Sequence, residues 1–80
     1  MEDGEPHNIA LGRAIGELRE AAKLTRRELA ERAELSVAEL RRIEDGEVDA
    51  DWGTVRRLAY AMEVPLSDVF RLAEELEDGD

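Results

Sequence analysis

Eighty residues make one small domain, close to the size at which a single apolar core holds without a covalent or metal staple. There is no cysteine and a single histidine, His7, which argues against disulfides, zinc centres and histidine-based catalysis, so no cofactor is expected. The net charge of −10 is an adverse balance for a partner that is itself a polyanion.

That charge is unevenly placed. Glu2, Asp3 and Glu5 lie at the front, and Glu74, Glu75, Glu77, Asp78 and Asp80 lie at the back. Residues 9–73 hold thirteen acids against eleven bases, a net charge near −2. The expected organisation is an acidic, solvated tail over 1–8, a folded domain over 9–73 and a second acidic tail over 74–80. No apolar run approaches the ~20 residues that cross a bilayer, and no signal peptide is recognisable. No membrane association and a cytoplasmic location are expected by default.

Helical periodicity dominates the chain. Asn8 is placed to cap a first helix with Leu11, Ile15, Leu18 and Ala22 on its apolar stripe. Thr25-Arg26-Arg27-Glu28 reads as a capping box, with Leu24 and Leu29 placed as a hydrophobic staple. Leu29, Ala30 and Ala33 supply the buried face of a helix about two turns long.

A second capping box follows in Ser36-Val37-Ala38-Glu39, flanked by Leu35 and Leu40. The helix it opens buries Leu40 and Ile43 and stops at Asp45-Gly46. An acidic, irregular stretch runs from Glu47 to Asp51. Asp51 caps a fourth helix expected to bury Trp52, Val55, Leu58, Ala59 and Met62. Pro65 opens a fifth, with Leu66, Val69, Phe70, Ala73 and Leu76 on one face. The pattern predicts an all-α, compact five-helix bundle with orthogonal packing.

From Leu11 to Phe70 the chain resembles the helix-turn-helix domain of the lambda repressor, Cro and XRE-type bacterial regulators. The segments LREAAKLTRRELAERAELS, LRRIEDG and VRRLAYAMEVPLSDVF carry the likeness. Counting from Arg26, that family expects a small residue at the fifth position, glycine at the ninth, and branched or leucine side chains at the fifteenth and eighteenth. Ala30, Leu40 and Ile43 match; Glu34 stands where the family has its turn glycine. A side chain in the left-handed conformation of that turn costs roughly 1–2 kcal/mol.

The resemblance implies a five-helix lambda-repressor-like bundle that places the helix over 36–45 in the major groove of double-stranded DNA. Ser36, Val37, Ala38, Glu39, Arg41 and Arg42 then face DNA, and Arg26 meets a phosphate. Val37 and Ala38 offer only apolar contact, for instance to a thymine methyl, while Glu39 either accepts from cytosine or serves its cap. Arg27 is expected to pair with Glu31. By the same resemblance, Arg19 and Glu44 form a buried ion pair, and Val69, Phe70, Ala73 and Leu76 offer a surface for a homodimer.

Two functional readings follow. The first is a sequence-specific DNA-binding regulator acting as a dimer. The second is an acidic protein-interaction module on the same fold, meeting a protein partner through the loop of Glu47, Asp49 and Asp51. An enzyme is not expected, since no nucleophile–base pair or glycine-rich phosphate loop is present.

Overall fold

The computed structural model describes residues 6–78, which form five α-helices. These are α1 (Pro6–Ala21), α2 (Arg26–Ala33), α3 (Val37–Glu44), α4 (Trp52–Met62) and α5 (Leu66–Asp78). The terminal helices α1 and α5 pack on each other, α2 packs on α4, and α3 is held between α1 and α2. Ile15, Leu29, Leu40, Val55, Leu58 and Val69 are fully buried and bring all five helices to one core. Each such side chain contributes about 1.5–3 kcal/mol by leaving water. Among the described residues, no helix is long and apolar enough to cross a membrane.

The helix ends explain how so short a chain turns so often. Helices α1 to α4 all end in the same motif, in which a residue with positive φ closes a pair of backbone hydrogen bonds. That residue is Lys23, Glu34, Gly46 and Glu63 in turn. The amide after it donates to a carbonyl five residues earlier, as in Leu24 to Arg19, Leu35 to Ala30, Glu47 to Arg42 and Val64 to Ala59. Leu24, Leu35 and Val64 then pack against the core and fix the exit direction of the chain.

Four expectations need correction. Asn8 is not a cap: α1 begins at Pro6, where a missing amide hydrogen is harmless in the first turn, and Asn8 is buried inside the helix, its Oδ1 without a hydrogen-bond partner among the described residues. Ala22 is exposed, because α1 ends at Ala21 and the chain swings away at Lys23. Trp52 is 61% exposed and stacks on Phe70 from the outside, with ring centroids 6.0 Å apart. Residues 74–78 continue α5, although their acidity reads as a solvated tail. Of the expected N-terminal tail, residues 1–5 lie outside the described residues.

Candidate nucleic-acid interface

The α2–turn–α3 unit is specified locally at both ends. Thr25 Oγ1 accepts from the Glu28 amide at 3.0 Å, and Glu28 Oε1 accepts from the Thr25 amide at 2.9 Å. Ser36 Oγ likewise accepts from the Glu39 amide at 3.0 Å, and Glu39 Oε1 accepts from the Ser36 amide at 3.2 Å. Between the boxes, Glu34 takes φ 61° and ψ 43°, so the left-handed turn persists without glycine. Ala30 is buried and admits close approach of the two helices, while Leu40 and Ile43 pin α3 to the core.

What α3 shows to solvent follows from what it buries. With Leu40, Ile43 and Glu44 turned inward, Ser36, Val37, Ala38, Glu39, Arg41 and Arg42 are all exposed, Val37 at 41%. Arg41 and Arg42 form no ion pair among the described residues, and neither does Arg27, which the sequence assigns to Glu31. Glu39 keeps one carboxylate oxygen on its cap.

Beneath this surface lies a charged joint. The Glu44 side chain is only 4% exposed and accepts from Arg19 Nε at 2.8 Å, from a second Arg19 nitrogen at 3.2 Å and from Arg26 Nε at 2.9 Å. Arg19 also donates to the Leu24 carbonyl at 2.9 Å. One carboxylate thus ties α1, the start of α2 and the end of α3 together. The Glu44 hydrogen bond, partly opposed by desolvation, raises the Arg26 pKa above its ordinary value and holds its charge. Arg26 is therefore anchored by its Nε rather than projecting freely.

The acidic loop after α3 is more ordered than its composition implies. Gly46 has φ 77°, and a Cβ there would come within 2.8 Å of Ile9, so the loop is pressed on α1. Asp51 Oδ1 accepts from the Thr54 amide at 2.8 Å and caps α4, which lowers its pKa below the ordinary aspartate value. Glu47 and Asp49 remain exposed. Arg42 and Glu39 share a cleft of about 290 Å³ with Asp49 and Asp51.

Sequence reasoning missed three features of this region. Gly12 lies against the end of α3, where an added Cβ would overlap the Ile43 carbonyl oxygen and come within 2.7 Å of that of Glu44. Gly16 lies one turn further along, where an added Cβ would sit 3.5 Å from a Glu44 carboxylate oxygen. The available signal was the spacing Gly12, Gly16, Arg19 on one helical face, which marks a close crossing beside a charged joint. The branching of Glu44 to Arg26 carried no separate signal. At the expected dimer surface, Val69 is sealed in the core, so the apolar exposure there belongs to Phe70, with Ala73 and Leu76 half-buried.

Residues 10–72 match a family model described as a helix-turn-helix domain. None of the curated proteins matches the chain. Among solved structures, the clp gene regulator ClgR from Corynebacterium glutamicum is 26% identical with a TM-score of 0.89, over 92% of this chain and 96% of that one. A second ClgR structure gives 25% identity and a TM-score of 0.86, covering 95% and 80%. The restriction-modification controller protein C.AhdI from Aeromonas hydrophila shares the fold at 24% identity, with a TM-score of 0.75 over 78% and 94% of the two chains.

Proposed function

This chain belongs to the helix-turn-helix domain family, and from that premise we propose that it is a DNA-binding transcriptional regulator that reads a specific duplex sequence with α3 in the major groove. The family match and the regulators that share its lambda-repressor-like fold set it apart from enzymes. The observation that carries the reading is the exposed row from Val37 to Arg42 on a helix whose opposite face is locked by Leu40, Ile43 and Glu44. A rigid helix presenting two exposed arginines beside small apolar side chains suits guanine or phosphate contact next to thymine methyl groups. The amide end of α3 adds positive potential where phosphates would lie. Arg26, oriented by Glu44, has its remaining guanidinium nitrogens for a phosphate.

The regulator acts in the cytoplasm as a homodimer on a two-fold site, pairing through the outer face of α5. Phe70 is 39% exposed and already stacked on Trp52; with Leu11 and Ala73 it borders a groove of about 520 Å³ between α1 and α5. These side chains support the pairing because an isolated domain rarely leaves two stacked aromatics in water. Selection of bound duplexes from a random library tests the function. A recurring motif with two-fold symmetry is expected; failure to enrich any sequence overturns it.

A further inference from the structure

A second charged surface lies away from α3. The C-terminal end of α2 and the outer face of α4 enclose a groove of about 560 Å³, lined by Arg32, Glu34, Gly53, Arg56, Arg57 and Tyr60. No residue of α3 enters it. Three of the eleven basic residues of a chain with net charge −10 meet here, and none forms an ion pair among the described residues.

Two of these arginines are held in place by the fold. Arg57 Nε donates to the Ala33 carbonyl at 3.1 Å, at the end of α2, which leaves its terminal nitrogens available. Arg32 reaches back toward the Ala61 carbonyl at 3.5 Å, near the end of α4. Each arginine thus sits at the carbonyl end of the other's helix, where a positive charge is favoured. Arg56 is exposed and has no partner among the described residues. Tyr60, one turn further on, is 87% exposed, the highest value for a large hydrophobic among the described residues. Gly53 leaves the groove open, since a Cβ there would meet only Asp51 at 3.8 Å.

We propose that this α2–α4 groove docks a short acidic segment of a partner protein, with Arg56 and Arg57 gripping carboxylates and Tyr60 covering an apolar side chain between them. Guanidinium forks match carboxylates in pairs, and arginine and tyrosine are the side chains over-represented where interfaces draw their energy. Arg57, already held by the Ala33 carbonyl, also loses less freedom on binding. A duplex fits less well: its backbone carries a charge every ~1.7 Å and needs a continuous basic track, which Glu34 interrupts here. The overall negative charge does not prevent docking, because salt screens it beyond about 8–10 Å while the groove acts at contact range.

The test is fluorescence anisotropy of the full chain with a fluorescein-labelled octapeptide of glutamates carrying two leucines. Binding at an ionic strength of about 0.1–0.15 M is expected, weakened at least about tenfold by Arg56→Glu and severalfold by Tyr60→Ala. Both side chains are exposed, and circular dichroism checks that each variant is folded. Affinity for a selected DNA duplex is expected to stay unchanged in both variants. No peptide binding overturns the proposal. An equal loss of duplex affinity in Arg56→Glu also overturns it, by assigning the groove to the DNA footprint. Self-association that Arg56→Glu abolishes overturns it in favour of a second copy as the occupant.

Discussion

Arg19 and Glu44 meet at 2.8 Å across 25 residues of sequence, joining α1 to the last turn of α3. The pair is the inner counterpart of the exposed α3 surface, since it fixes the helix that carries Val37 to Arg42. Breaking a buried ion pair from one side is costly because the other charge is left without water or a partner. Glu44→Ala leaves the nearly buried Arg19 charge with only the Leu24 carbonyl, while the half-exposed Arg26 turns to water, and is expected to destabilise the domain by about 3 kcal/mol in urea unfolding. A loss below about 1 kcal/mol would show that the joint is not structural.

Gly12 and Gly16 provide a matched pair of substitutions on one helix. Gly12→Ala drives a Cβ into backbone carbonyls that cannot rotate away and is expected to cost about 2–3 kcal/mol. Gly16→Ala meets only ordinary contact distance and gains helix propensity, so it is expected to be neutral or stabilising by about 0.5–1 kcal/mol. Thermal melts of the two variants should move in opposite directions, or Gly16→Ala should not move at all.

Glu34 holds a left-handed turn that glycine adopts without strain. Glu34→Gly relieves roughly 1–2 kcal/mol and returns part of it through the greater freedom of the unfolded chain, a net gain of about 1 kcal/mol. For a domain of this size that raises the melting temperature by about 4–8 °C. Lys23→Gly and Glu63→Gly, at the same kind of position, should act alike. An unchanged or lower melting temperature for all three contradicts the strain reading.

Asp51 gives the acid side of the stability curve a defined contribution. Its pKa is lowered mainly by the hydrogen bond from the Thr54 amide and next by that from the Thr54 side chain. A carboxylate with a depressed folded pKa stabilises fully above its unfolded value, about 3.9, and loses that contribution as pH falls through the folded value. Asp51→Ala should lower stability at neutral pH and leave it less sensitive to acid below pH ~4, whereas Asp51→Ser keeps a cap that does not titrate. An unaltered pH profile in Asp51→Ala contradicts this role.

The legible parts of the fold are those set by neighbours in sequence. Both capping boxes, the Asp51 cap and the stop at Asp45-Gly46 are local chemistry, and each occurs in the structure as read. The misreadings arose where tertiary packing decides. Trp52 has the apolar character of a core residue, but its place at the first turn of α4 leaves it outside against Phe70. Asn8 has the chemistry of a cap, yet Pro6 starts the helix before it. The hydrogen bond from Arg26 to Glu44 likewise had no local signal, because nothing in the neighbouring sequence shows that Glu44 sits beneath Arg26. The α2–α4 groove was illegible for the same reason: Arg32 and Arg57 are 25 residues apart in sequence and meet only through helix packing.

The central claim is that α3 binds duplex DNA through its exposed face, and salt-dependent gel-shift titration of a selected duplex tests it most directly. Affinity is expected to fall linearly with salt on logarithmic axes. Arg42→Ala is expected to weaken binding by about 1–3 kcal/mol, roughly fivefold to more than a hundredfold, without unfolding the domain. No shift of any duplex at low salt, or full affinity in Arg42→Ala together with Arg41→Ala, would contradict it.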